Sequence, residues 1–289
     1  MDLLTKIYDL ANTTMTSPTN FSGFHIAFIV AVGVLTVLAA FIFKNCSLKT
    51  LRFVTASVWV VIVLLEIYKQ LVFSVYLTDG VFSWDYSWYA FPFQFCSSPL
   101  YILPIIAFTS NERLRNRCVA YMMTFALFAG LAVFCYPNDV FMEIAGINYQ
   151  TMIHHGSQIF IGVLYGVRYR KRLTAKFFFG GVRTFVTMVF IAMALNVGVY
   201  HMLNALSIDE TFNMFYISPY FDCTLPVLST VWSMVSYVPF VCVYFFGFIL
   251  CALIIYSLFL VFTRGSRDGM SRRQKRLAYE RDCIFYYNM

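Results

Sequence analysis

From Phe24 to Phe43 the chain carries no Asp, Glu, Lys or Arg, and comparable apolar runs recur along its length. They fall at Phe24–Phe43, Val54–Tyr76, Phe91–Phe108, Cys118–Cys135, Thr151–Val167, Phe178–Leu203 and Ser236–Phe262, the fifth starting as early as Ile147. A helix needs about 20 apolar residues to cross the hydrocarbon core of a bilayer. The pattern therefore predicts an all-α, polytopic transmembrane helical bundle with seven spans. Composition agrees, with 60% of residues hydrophobic and 12% charged, about half the charged share of a soluble domain. These figures exclude disorder, a collagen-like chain and a disulfide-knotted secreted domain.

Residues 1–289 read as a single integral membrane domain, with a short external N-terminal segment 1–23 and a basic cytoplasmic tail 263–289. Segment 1–23 has no basic n-region and no small-residue cleavage site, so the first run is expected to be a retained anchor helix. No internal repeat of the kind found in secondary transporters is visible.

Loop charge predicts the orientation. Basic residues follow the first span (Lys44, Lys49, Arg52), the third (Arg113, Arg115, Arg117) and the fifth (Arg168, Arg170, Lys171, Arg172, Lys176, with Arg183 just beyond). The tail adds Arg264, Arg267, Arg272, Arg273, Lys275, Arg276 and Arg281. Alternate loops hold only acids: Asp79 and Asp85, then Asp139 and Glu143, then Asp209, Glu210 and Asp222. By the positive-inside rule the chain is N-outside and C-inside. The net charge of +7 is explained by this topology, and no nucleic-acid partner is expected.

Ionisable side chains inside the hydrocarbon are costly unless paired or facing a cavity. In the second span Glu66, Lys69 and Gln70 are spaced i, i+3 and i+4, so they share a helix face. They form either a self-neutralising patch between helices or a polar cavity wall. The third span holds Pro92, Pro99 and Pro104, and Pro99 cannot donate to the Phe95 carbonyl, which leaves an open acceptor and a kink beside Cys96. Gln94, Ser97 and Ser98 surround that cysteine, whereas Cys242 and Cys251 sit among apolar neighbours. The fifth span carries His154 and His155, then Gln158. Adjacent helical residues point about 100° apart, so only one histidine is expected to face a given site. No H-x-x-x-H or C-x-x-C spacing occurs, and no metal is expected.

Entering from the outer face, Cys96 and His155 each lie roughly 6–12 Å deep at about 1.5 Å per residue. Gln70, Asn196 and His201 fall in the same outer half and Glu66 nearer the midplane, which predicts a cavity open to the outside. A histidine within hydrogen-bond reach is the usual activator of a thiol nucleophile.

The stretch Phe93–Ser98 (FQFCSS), the run Pro99–Pro104, the turn Tyr136–Phe141 (YPNDVF) and Gln150–Gly156 (QTMIHHG) together resemble the bacterial YwaF-like integral membrane proteins. Their eukaryotic relatives are the transmembrane protein 164 lipid acyltransferases. The similarity extends over most of the chain, with the specific motifs confined to about residues 91–160. The resemblance implies an acyl-enzyme site made of Cys96 and one of His154 or His155, His155 being favoured because Gly156 follows it. More distant relatives, the androgen-induced membrane hydrolases, pair Thr with His.

Two function classes follow. One is a membrane-embedded Cys/His acyltransferase or hydrolase acting on a phospholipid or other acyl lipid, without a cofactor, with Gln94, Ser97 or Gln70 steadying the oxyanion. The other is a seven-helix transporter, channel or receptor that binds a small ligand in the same cavity. The last span has no Lys, which argues against a retinal Schiff base. Location in the membrane, the cell membrane if the source is bacterial, is common to both. Two further expectations concern the outer side: Cys135 and Cys223 pair in an oxidising exterior, with Cys46, Cys118 and Cys283 on the reducing side. The apolar stretch Phe221–Tyr237, with Pro226, forms a short interfacial or re-entrant cap over the cavity.

Overall fold

Several helices in this chain begin at polar caps. Ser47 Oγ accepts from Thr50 N at 3.0 Å, Asn111 Oδ1 from Leu114 N at 3.1 Å and Thr174 Oγ1 from Phe177 N at 3.2 Å, each filling an orphan donor of a first turn. The computed structural model describes residues 3–263; the tail arginines and Cys283 lie outside the described residues. The helices are α1 (Leu3–Ala11), α2 (Gly23–Phe43), α3 (Leu48–Ser74), α4 (Pro99–Phe108), α5 (Glu112–Tyr121), α6 (Leu127–Cys135), α7 (Ala145–Arg168), α8 (Ala175–Ala205), α9 (Leu228–Met234) and α10 (Tyr237–Phe262). A π-helical turn, Met122–Ala126, joins α5 to α6.

Among the described residues, five helices are long and apolar enough to cross a membrane: α2, α3, the α5–α6 unit Glu112–Cys135, α8 and α10. That is the signature of an integral membrane protein. The third and fifth predicted spans differ from these five, for separate reasons. Prolines confine regular helix in the third to the 10 residues of α4, about 15 Å at 1.5 Å per residue. Before it the chain runs through 3₁₀ turns at Trp88–Ala90 and Phe95–Ser97. The fifth, α7, is 24 residues long, but Asn148, Gln150, His154, His155 and Gln158 dilute its hydropathy. All five side chains are buried, so the bundle shields them from lipid.

The all-α expectation holds for the described residues apart from one short hairpin. Strands β1 (Val75–Thr78) and β2 (Val81–Trp84) form an antiparallel hairpin beyond α3. Its turn is Asp79-Gly80, with φ of 53° and 78°, the left-handed pair that a two-residue hairpin demands and that Asp-Gly supplies.

The α5–α6 helix is central: 72% of its apolar window is buried, against 11% for α2 at the periphery. Around it aromatic rings fill the core. Phe125 stacks on Tyr121 (5.5 Å) and on Phe185 of α8 (4.5 Å), while Tyr244 of α10 stacks on Phe248 (4.4 Å). Polar links also tie helices together, among them the buried Thr55–Tyr165 hydroxyl pair at 2.7 Å between α3 and α7. Cys135 and Cys223 are both free thiols, contrary to the expected disulfide. Cys135 is exposed and Cys223 buried, and burial pushes the Cys223 thiol above its ordinary range.

Candidate functional site

A cavity of about 850 Å³ opens among α3, the irregular segment before α4, α6, α7 and α10. One side of it is polar: Glu66 and Lys69 from α3, Gln94, Cys96 and Ser97 from the irregular segment, and Gln150, Thr151, His154 and His155 from α7. The apolar part of the lining includes Phe128, Ala132 and Val133 of α6 and Phe248 and Cys251 of α10. Residues Thr224–Leu228 and the 136–142 turn with Asp139 also line it, and α9 begins at Leu228. The segment around Pro226 thus borders the cavity, as the sequence suggested.

Cys96 lies in the 3₁₀ turn Phe95–Ser97 and is half-buried. Its carbonyl is gripped from α7, accepting from His154 Nε2 at 2.9 Å and from Gln158 Nε2 at 2.8 Å. Residues four apart stack on one helix face, which is why this pair converges on one oxygen. The open acceptor made by the proline-rich segment is therefore the Cys96 carbonyl. The Phe95 carbonyl, expected to be free, accepts from Ser98 N at 3.3 Å.

Carbonyl partners fix both imidazole tautomers, since a carbonyl only accepts. His154 carries its proton on Nε2, which leaves Nδ1 buried without a partner among the described residues. His155 donates through Nδ1 to Thr151 O at 2.8 Å, which leaves Nε2 buried without a partner. Both side chains line the cavity, with ring centroids 5.3 Å apart. This corrects the expectation that only one of them faces it: α7 is buried, and the cavity wraps far enough around it to meet adjacent positions. Among the described residues no hydrogen bond joins the Cys96 thiol to either imidazole.

Glu66 is 7% exposed. Its Oε1 accepts from Lys69 Nζ at 2.9 Å and from Gln70 Nε2 at 2.7 Å. The two sequence readings of this trio are thus both realised: it neutralises itself, and Glu66 and Lys69 also face the cavity. Gln70 does not line it. Its amide hydrogens are taken by Glu66 and by Ala90 O at 2.7 Å, so it has no donor left for an oxyanion.

Ser98, Asn196 and His201 do not line the cavity, and Gln94, which does, is also tied to a distant turn. Ser98 is buried and accepts from Tyr121 Oη at 2.7 Å. Asn196 holds the Asn213–Ile217 turn, accepting from Met214 N at 2.7 Å and donating to Met214 O at 3.0 Å. Gln94 grips the same turn at Asn213 O and Phe215 N, both at 3.0 Å. These bonds offset the cost of Phe215 and Tyr216 at φ of 60° and 56°, of order 1–3 kcal/mol for each such residue. His201 is exposed and meets Tyr220 Oη at 3.2 Å, away from the cavity.

Compared with protein-family models, curated proteins and solved structures, the chain matches none. The site stands on its own geometry.

That geometry adds residues beyond those predicted. Gln150 and Thr151 line the cavity one turn before the histidines, a position the i−4 spacing in the sequence could have marked. Tyr216 and Tyr244 reach it from distant segments, and the buried Tyr244 hydroxyl has no hydrogen-bond partner among the described residues. No local pattern announces them.

Proposed function

We propose that the chain is a membrane-embedded acyltransferase or hydrolase that acts on lipid esters with Cys96 as nucleophile and His155 as base. In this reading the chain crosses the bilayer seven times, N-outside and C-inside, and the cavity opens toward the outer leaflet. The supporting observation is the sharing of one largely apolar cavity by Cys96 and two buried imidazoles, each with a ring nitrogen that has no partner among the described residues.

His155 is the better base because Thr151 holds its proton on Nδ1 and leaves Nε2 as the free lone pair. His154 is the alternative, but it is already engaged on the Cys96 backbone. Nε2 takes the thiol proton as the sulfur attacks the ester carbonyl, and the tetrahedral intermediate collapses to a thioester. The proton passes to the departing alcohol. Water or a second lipid hydroxyl then attacks the thioester, losing its proton to the same nitrogen and releasing the Cys96 thiol. Ser97 is left as the oxyanion donor, since Gln70 is saturated and Gln94 is tied to the 213–217 turn. The apolar wall accommodates the acyl chain.

The test is mass spectrometry of purified protein after incubation with phospholipid, using hydroxylamine to identify a thioester. Cys96→Ala is expected to abolish acylation. His155→Ala is expected to reduce it at neutral pH and to recover part of it at alkaline pH, where the thiol ionises unaided. No thioester across diverse lipids, with Glu66 instead required for movement of a small solute, would favour the transporter reading.

A further inference from the structure

At the basic end of the bundle two guanidinium groups meet on one carbonyl oxygen. Arg52, near the start of α3, donates through Nη2 to Thr109 O. Arg115, near the start of α5, donates through Nη1 to the same oxygen at 3.1 Å. Thr109 is the C-cap of α4, so the oxygen belongs to the turn between α4 and α5. Arg115 is 5% exposed. Arg52 is half-buried, and the Nε of each is buried without a hydrogen-bond partner among the described residues. Among the described residues no carboxylate pairs with either, and the acid nearest in sequence, Glu112, is engaged by Arg172 Nη1 at 2.8 Å.

Among the described residues the charges here do not balance. Arginine keeps its proton in proteins, and a charge removed from water without a counter-ion costs several kcal/mol. The C-terminus of α4 supplies about half a negative charge, against two positive ones. Capping that helix would need one cation, so capping does not account for the second. Each guanidinium presents five donors in a planar fork, and the bond to Thr109 O uses one on each side. A dianionic tetrahedral oxyanion matches both the surplus charge and the surplus donors.

We propose that Arg52 and Arg115 form a binding site for a phosphate monoester, presented by an anionic lipid headgroup or as free phosphate. Basic pockets between helices at the cytoplasmic membrane surface suit such groups. Neither arginine lines the cavity, so the site does not depend on the acyl-transfer reading.

The test compares purified protein in nanodiscs of phosphatidylcholine alone with nanodiscs that also contain phosphatidic acid, alongside detergent samples titrated with inorganic phosphate. The readouts are Tm and lipid retention in native mass spectra. Phosphatidic acid raises Tm and is retained, and Arg52→Gln weakens binding roughly tenfold, the loss of one charge-assisted contact. Arg52→Lys, which keeps the charge without the fork, falls between. A response to phosphatidic acid alone identifies the headgroup as ligand; an equal response to inorganic phosphate identifies the free ion. Arg115→Gln is the second variant, and Arg52 alone decides if it fails to fold. A native protein indifferent to both probes, or an Arg52→Gln variant that binds equally well, overturns the proposal.

Discussion

His154 reaches the Cys96 backbone through Nε2, whereas His155 turns its Nδ1–H back onto Thr151, one turn earlier on the same helix. The neighbours therefore differ in what their loss removes. His154→Ala leaves Gln158 as the sole donor to the Cys96 carbonyl, and the lost bond is expected to cost about 0.5–1.5 kcal/mol, with a larger effect if the 3₁₀ turn loosens. Thermal unfolding of the purified protein measures it, and His154→Gln, which restores an N–H donor, should recover part of the loss. A Tm unchanged in His154→Ala would show that the clamp contributes nothing. The sequence marked Cys96, His154 and His155 as candidates, but not which atoms they use. Tautomers follow from acceptors on other segments, and those acceptors are known only once α7 is docked against the segment before α4.

Docking of that kind depends on close approach between elements. At Gly130 of α6 an added Cβ would lie 2.7 Å from the His155 carbonyl oxygen and 3.1 Å from Gln158 Cβ, so glycine is what lets α6 lie against the histidine stretch of α7. Gly130→Ala is expected to push the helices apart, lower Tm by a cost of about 1–3 kcal/mol, and disturb both histidines. Gly198 of α8 has nothing within 4 Å of its would-be Cβ. There the same change is expected to be neutral or stabilising by up to about 1 kcal/mol, and the comparison separates packing from helix propensity. If both variants melt alike, the close approach is irrelevant. At this scale the sequence located every long helix to within a few residues at most ends. It set the second span's end at Tyr76, inside β1, although the Asp-Gly turn signal was present, because an apolar run continuous with a helix conceals where the backbone changes period.

For the whole molecule the number of crossings turns on α4, which is short, and α7, which is polar. The proposed N-outside, C-inside arrangement expects single cysteines placed near Asp85, Asp139 and Asp209, on a cysteine-free background, to react with an impermeant maleimide from outside. Reaction near Arg170 instead would reverse the orientation. Membrane residence was determined by the sequence alone, because hydropathy and the alternation of basic and acidic loops are local sums that need no knowledge of neighbours. Cys96 and the His154–His155 pair were also legible, because polar side chains within apolar runs stand out one by one. Shared membership of a cavity was not: Asn196 and His201, assigned to it by depth, lie elsewhere, while Tyr216 and Tyr244 enter it from distant segments. Depth along a helix is one coordinate, and a cavity needs three. The free state of Cys135 and Cys223 and the meeting of Arg52 with Arg115 on Thr109 O were likewise decided by tertiary packing, because the distance between side chains on separate helices depends on how those helices cross.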